Sequence, residues 1–490
     1  MEDWRRCDGK QRPHGGIEKK SPITLQKQKA PTTPPPDKAK IPSSGDPNNR
    51  TGSLISRSLT MTGGPEKRAG QMSWQRFGTN SSLLAIATIA LAFLQWAILI
   101  FVARVDGPSL LGEYSLAQAY ATPAFFFGSL SLRSQYLVLE PSRSLFSDFL
   151  FLRLFFPAVV FGCLLTFIYF YHTSPSFFLI AAAIFAMKYV EGLFDLASGK
   201  MQREGDFTGV ATTNITRCLI SIFAFGTIYL ATANLPLALF FLSLLWIVFL
   251  LIHRDRLSIN VQLSEVLTAD NFKGRIGLAL SLFPFSVSLI VNALALNAPR
   301  FILGGVLGPK ELGFFTAVSH FLGIGALAVG SIAQTALPSL ADAIAKHSIR
   351  KFWQRLLWPA ALVQCACIVG VIIAIAMGPE LLDLFYGKEF ESQGHTLVVA
   401  TIVAGPIYCS FIFVNGCYAA QMRRGLVAIQ CLSLLVVISA TWIFVVRFGV
   451  DGAFLGLVMF AITQIFLSVA LLLRFFSQWP RATVIGCEKP

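Results

Sequence analysis

Charge is scarce in this sequence. Asp, Glu, Lys and Arg make up 13% of its 490 residues, about half the roughly 25% usual in soluble domains. With a mean hydropathy of +0.63, that shortage excludes a water-soluble globule. Histidine is sparse too, six in all, and none stands at ligand spacing from Cys163, Cys218, Cys365, Cys367, Cys409, Cys417 or Cys431, which fall in apolar runs. No metal site, disulfide framework or cofactor is therefore expected, and these cysteines read as small packing residues. No apolar stretch precedes Leu83, so no secretory signal is expected. The Asp106–Glu113 turn holds no Asp-x-Asp pair, and the longest loop on that side is about 15 residues. Neither a polytopic glycosyltransferase nor a glycan polymerase or ligase would have a place for its extramembrane active site, so an enzyme is not expected.

What the chain has in abundance is long apolar sequence. Runs of about 20 residues with few charges can each cross a bilayer core about 30 Å thick. Twelve such runs fall near 82–105, 114–138, 151–171, 177–199, 209–231, 235–252, 276–298, 313–338, 356–378, 395–420, 426–446 and 452–475. They are continuously apolar rather than alternating, which selects helices over a membrane barrel. The expected fold is an all-α polytopic membrane protein. Pro123, Pro284 and Pro406 fall inside three of the runs, where kinks are expected.

The net charge of +14 is unevenly placed: residues 1–80 hold 15 Lys+Arg and 7 Asp+Glu, a net of 15 − 7 = +8. A solvated basic tail, with anionic lipid as a possible contact, accounts for this without any nucleic-acid partner. Residues 1–75 are rich in Pro and Lys and bury too little to fold. Met72 precedes the basic lead-in Ser73-Trp74-Gln75-Arg76 and is a candidate alternative start. Loops bearing Arg254, Arg256, Lys273 and Arg275, then Lys346, Arg350, Lys351 and Arg355, then Arg423 and Arg424, alternate with short or acidic ones such as Glu380–Glu391. The positive-inside bias then places both termini, including a tail at 479–490, in the cytoplasm.

One stretch recurs. Gly107-Pro108-Ser109-Leu110-Leu111-Gly112-Glu113-Tyr114 aligns with Gly308-Pro309-Lys310-Glu311-Leu312-Gly313-Phe314-Phe315 at an offset of 308 − 107 = 201 residues. Each half holds six spans, an even number, so the second half enters the membrane from the same side as the first. The halves, 76–253 and 276–478, should be parallel repeats about an axis along the membrane normal, joined by a cytoplasmic linker at 254–275.

Ionisable residues inside membrane spans are costly and point to partners or water. Here they are Arg133, Lys188, Glu191, Asp195 and Arg217, with Arg104 and Arg300 at span ends and His320 in the eighth span. Lys188, Glu191 and Asp195 share one face of the fourth span. That face is either the wall of a cavity, with Glu191 or Asp195 carrying a coupling ion, or a structural network near the cytoplasmic end. Arg217 either pairs with those carboxylates or faces a cavity. Arg133 either snorkels or contacts a phosphate. Asn292, Asn297 and Arg300 lie on one sector of the seventh span, and arginine's donor fork suits phosphate while asparagine suits sugar hydroxyls or a neighbouring helix.

Phe101-Val102-Ala103-Arg104, Leu111 to Ala117 and Leu130-Ser131-Leu132-Arg133-Ser134 resemble the first hairpin of bacterial oligosaccharide flippases. Pro299-Arg300-Phe301-Ile302-Leu303 with Gly308 to Phe315 resembles the start of their second lobe. These proteins belong to the multidrug/oligosaccharidyl-lipid/polysaccharide exporter (MOP) superfamily, and the resemblance covers residues 73–478. It implies a V-shaped pair of six-helix lobes in the inner membrane. These would move an undecaprenyl-diphosphate-linked oligosaccharide outward by alternating access, for surface polysaccharides such as O-antigen of lipopolysaccharide or exopolysaccharide. Expected partners are the lipid-linked glycan, membrane lipid, a proton or sodium ion, and a glycan polymerase or glycosyltransferase complex. A multidrug or cation antiporter of the same superfamily is the alternative, disfavoured by the excess of arginine over carboxylate in the spans.

Overall fold

A computed structural model of the chain describes residues 74–138, 145–172, 174–254 and 272–478. The expectations for the tail before Trp74, for Met72, for most of the linker and for the 479–490 tail lie outside the described residues. Eleven α-helices carry the described chain, with no strand among them: α1 (Trp74–Ser129), α2 (Leu132–Val138), α3 (Leu145–Tyr171), α4 (Pro175–Glu204), α5 (Phe207–Thr232), α6 (Leu235–Ile252), α7 (Phe272–Val306), α8 (Pro309–Ala345), α9 (Ile349–Tyr386), α10 (Gly394–Ala419) and α11 (Arg423–Ser477). A 3₁₀ turn, Lys388–Gln393, links α9 to α10.

Ten of the helices are long and apolar enough to cross a membrane. Two of these, α1 and α11, are each bent by one glycine with positive φ, Gly107 (φ 73°) and Gly449 (φ 59°). Counting their limbs separately turns ten into twelve. Large apolar side chains stand outward around the bundle, among them Phe170, Phe223, Trp358 and Phe466, each more than 70% exposed. In water such a surface would be untenable, and lipid is the solvent that suits it. Cys163, Cys365 and Cys431 are exposed as well, so the packing role expected of the cysteines holds for Cys218 and Cys417 but not for these three.

Local chemistry sets the helix ends. Ser174 caps α4 by accepting from the Phe177 N–H at 3.4 Å, Pro175 occupies its first turn, and Gly205 closes it in the left-handed conformation. Asn234 likewise caps α6. The expected proline kinks are not where the backbone departs from helix: it stays helical through Pro123, Pro284 and Pro406, while Gly107, Met377 and Gly449 carry the non-helical dihedrals. The second span also ends earlier than its expected limit of 138. Leu130 (φ 48°) and Ser131 (φ 53°) both adopt left-handed backbone and break the helix, so Arg133 rides on the short α2 rather than inside a long span.

The recurring turn explains how the halves meet. Gly107 and Gly308 both have positive φ and each is followed by a proline at the start of a helical run. A Cβ on Gly112 would lie 1.8 Å from the Pro309 carbonyl oxygen, and one on Gly313 would lie 1.9 Å from that of Pro108. Each copy's glycine therefore receives the other copy's proline. Such reciprocity is what a two-fold relation between parallel repeats produces.

Candidate functional site

Near the end of the first half that carries Glu204, three helices bring charge together. Asp195 of α4 accepts from Arg133 of α2 at 3.1 Å on one oxygen and from Arg153 of α3 at 3.0 Å on the other. Arg153, whose side chain is 2% exposed, also donates through Nε to the Gly192 carbonyl at 2.6 Å, and glycine at 192 leaves the space that the guanidinium fills. Arg133 donates in addition to Gln202 at 3.3 Å. One turn and a half deeper, Lys188 pairs with Glu191 at 2.8 Å, and that carboxylate retains 24% side-chain exposure.

Arg217 of α5 forms neither of the direct pairings open to it from the sequence. Its guanidinium carbon sits 4.4 Å from the Phe194 ring centroid and 4.7 Å from that of Trp246, an aromatic clasp that suits a weakly hydrated cation. Trp246 is fixed in turn by donating to Ser221 at 2.7 Å. Arg217 is 3% exposed, and its Nε and Nη1 have no hydrogen-bond partner.

In the second half, Arg300 donates through Nη1 to Asn297 Oδ1 at 2.8 Å, and Asn297 donates to the Ala293 carbonyl at 2.8 Å. Asn297 thus orients the arginine, while Arg300 Nε remains buried without a partner. Asn292, expected on the same sector, makes no hydrogen bond with this pair and lines a cavity with Gln334 and Asn415.

Helix rise gives these groups their depth, at about 1.5 Å per residue. Arg153 lies eight residues from the start of α3, about 12 Å in, and Arg217 ten residues from the start of α5, about 15 Å in. Glu191 is 13 residues, about 20 Å, from the end of α4, and Arg300 is only six residues, about 9 Å, from the opposite face at Val306. The cations Arg153, Arg217 and Arg300 therefore lie at different distances from the ends of their helices.

No protein-family model matches the chain. The capsular polysaccharide biosynthesis protein CapF of Staphylococcus aureus is 23% identical over 364 residues, which span 72% of this chain and 89% of CapF. The lipid II flippase MurJ in an inward-closed conformation superposes with a TM-score of 0.61 at 14% identity, over 81% of this chain and 89% of MurJ. An inward-facing multidrug-resistance transporter of the MATE family, in the MOP superfamily, gives 0.59 at 13% identity, over 86% and 98%. The chain shares the fold of these two transporters. The resemblance read from the sequence is borne out in sequence by the likeness to CapF and in fold by the likeness to MurJ and the MATE transporter.

Within this fold, Arg153 is a buried charged residue of the site that the sequence reading passed over. It stands third in the expected third span, where a cation is easily taken for one snorkelling at a helix end. Its position on α3 facing a glycine of α4 is a tertiary fact with no local signal. The opposite end of the fold is also held by arginine: Arg104 donates through Nε to the Phe385 carbonyl at 3.0 Å and through Nη2 to that of Leu384, covering acceptors at the end of α9. Trp96 donates to the Tyr386 hydroxyl at 2.9 Å nearby. These bonds join the two halves beside the repeated turns.

Proposed function

We propose that this protein is a flippase of the bacterial inner membrane that carries an undecaprenyl-diphosphate-linked oligosaccharide between leaflets. In this reading the lobes 76–253 and 276–478 expose a shared path alternately to either side, and both termini are cytoplasmic. One observation carries it: each half presents a buried guanidinium, Arg217 or Arg300, with an N–H donor left without a partner. An arginine desolvated without an acceptor is unfavourable, and a diphosphate supplies several anionic acceptors in a planar fork's reach. The surrounding balance agrees. Among the described residues, Arg133 and Arg153 pair with Asp195 and Lys188 pairs with Glu191, so both carboxylates are ion-paired while Arg217 is left over. A cationic drug would find no unpaired carboxylate there, which disfavours the antiporter reading.

Arg217→Ala and Arg300→Ala should each lower export of the surface glycan by about tenfold or more, on the scale of one lost charge-assisted hydrogen bond, with the protein still in the membrane. Quantitative surface-glycan labelling alongside membrane immunoblotting measures this, and normal export in both variants would refute the reading.

Glu191 is the better candidate for coupling to an ion gradient. Asp195 has both oxygens engaged by arginines, whereas Glu191 holds one lysine and keeps part of its surface open. In this reading a proton or sodium ion competes with Lys188 for the carboxylate, and the pair opens or closes as the lobes move. Glu191→Gln should therefore abolish the dependence of transport on an imposed proton or sodium gradient while leaving downhill movement measurable. Unchanged ion dependence in reconstituted vesicles would make Glu191 structural.

A further inference from the structure

Away from the arginines, a cavity of about 290 Å³ lies within the second half, lined from α7, α8, α10 and both limbs of α11. Five carboxamides meet there, Asn292, Gln334, Asn415, Gln430 and Gln464, together with the Tyr418 hydroxyl. No Asp, Glu, Lys, Arg or His is among its lining residues.

The polar groups are poorly served by the protein itself. Gln464 is 1% exposed; it donates through Nε2 to Gln430 Oε1 at 3.0 Å, and its own Oε1 has no partner. Asn415 donates its amide back to the Phe411 carbonyl of its own helix at 2.8 Å. Asn292, Gln334 and Tyr418 make no side-chain hydrogen bond to the protein among the described residues. Gln430 and Gln464 are buried, Asn292 and Asn415 half-buried, and Gln334 and Tyr418 exposed. A buried amide oxygen without a partner at membrane depth is unfavourable, so Gln464 Oε1, with the other carboxamides around it, calls for a ligand that both donates and accepts.

Charge narrows the class of ligand. A metal or organic cation would want a carboxylate, and a phosphate would want arginine or lysine; the lining offers neither. Carboxamides present donor and acceptor side by side, which matches the hydroxyl and acetamido groups of a sugar. Asn292 lies eight residues from Arg300 on α7, about 12 Å along the helix, a distance that a few sugar residues attached to a diphosphate would cover.

We propose that this cavity is a subsite for a neutral sugar residue of the transported glycan, an assignment that rests on the flippase reading for the source of the sugar. The diphosphate engages the arginines while the carboxamides read hydroxyl or acetamido groups, so the cavity selects the glycan and leaves the anion to other residues.

The test uses the full chain in vesicles with two probes, undecaprenyl diphosphate bearing an N-acetylglucosamine-containing oligosaccharide and sugar-free undecaprenyl diphosphate. The variants are Asn415→Leu and the double Gln430→Leu/Gln464→Leu, the latter removing both partners of one hydrogen bond so that neither is orphaned. The expected result is a fall of about tenfold for the glycosylated probe, the scale of one lost polar contact, with the sugar-free probe unaffected. An unaltered ratio of the two rates in both variants overturns the subsite while leaving the flippase reading in place. If the wild-type protein moves neither lipid, that reading fails, and saturation-transfer NMR with N,N′-diacetylchitobiose decides the subsite alone. A signal lost in the variants supports it, and no signal from the wild-type protein overturns it.

Discussion

Alanine at Gly112 or Gly313 should hold the two halves apart at their shared turn and stop transport. The new Cβ would sit 1.8 Å from the Pro309 carbonyl oxygen in one case and 1.9 Å from that of Pro108 in the other. Both obstacles are backbone atoms at the starts of helical runs, so no side-chain rotation relieves them. Overpacking of this kind costs about 1–3 kcal/mol, and here the route to relief is separation of α1 from α8. Separation at that end would also stretch the bonds from Arg104 to the Phe385 and Leu384 carbonyls and from Trp96 to Tyr386. The pair of variants carries its own control. Because the two contacts belong to one two-fold interface, the first alanine should open the gap that the second needs, and the double variant should cost less than the sum of the singles. Thermal unfolding in detergent measures this; strictly additive losses would mean that each turn relaxes locally and the halves stay together.

Asp195→Ala should be the most destabilising change at the charged site. Arg153 is almost wholly buried, and Asp195 is its carboxylate partner, with the Gly192 carbonyl as its other acceptor. Arg133, held by the same carboxylate, would then repel Arg153 across an empty position. Removing one member of a buried pair typically costs 3–5 kcal/mol. Asp195 keeps 31% of its side chain exposed, which screens part of the loss and puts the expectation near 3 kcal/mol. The double variant Asp195→Leu/Arg153→Met should recover much of this, since replacing a buried ion pair with apolar groups is often neutral. Equal instability of the single and double variants would show that the arginine stabilises through packing against Phe125 rather than through charge.

The sequence made some of this architecture readable and hid the rest, for identifiable reasons. Span number follows from apolar run length, which is a local property, and the turns at Gly107 and Gly308 are visible because a glycine with positive φ before a proline leaves a compositional trace. Their mutual contact is not local, and only the offset of the repeat hinted at it. The break at Leu130-Ser131 leaves no such trace, since ordinary side chains occupy left-handed backbone there. Charge in a span or at its end attracts notice because it is expensive, so Arg217, inside the fifth span, and Arg300, at the end of the seventh, are visible in the sequence. Their unpartnered donors, the glycine cleft that receives Arg153 and the convergence of five amides from four helices depend on how helices pack. Asn292 and Asn297, read as sharing a sector, have different partners: one lines the amide cavity and the other turns back on α7 to hold Arg300.

The central claim is that the buried arginines serve a lipid-borne anion. Transbilayer movement of a fluorescent undecaprenyl-diphosphate oligosaccharide in vesicles containing the purified protein, with a cationic dye in parallel vesicles, tests it most directly. The account predicts movement of the glycolipid and its loss in Arg217→Ala and Arg300→Ala, with no movement of the dye. Movement of the dye alone would contradict the account and make both arginines structural.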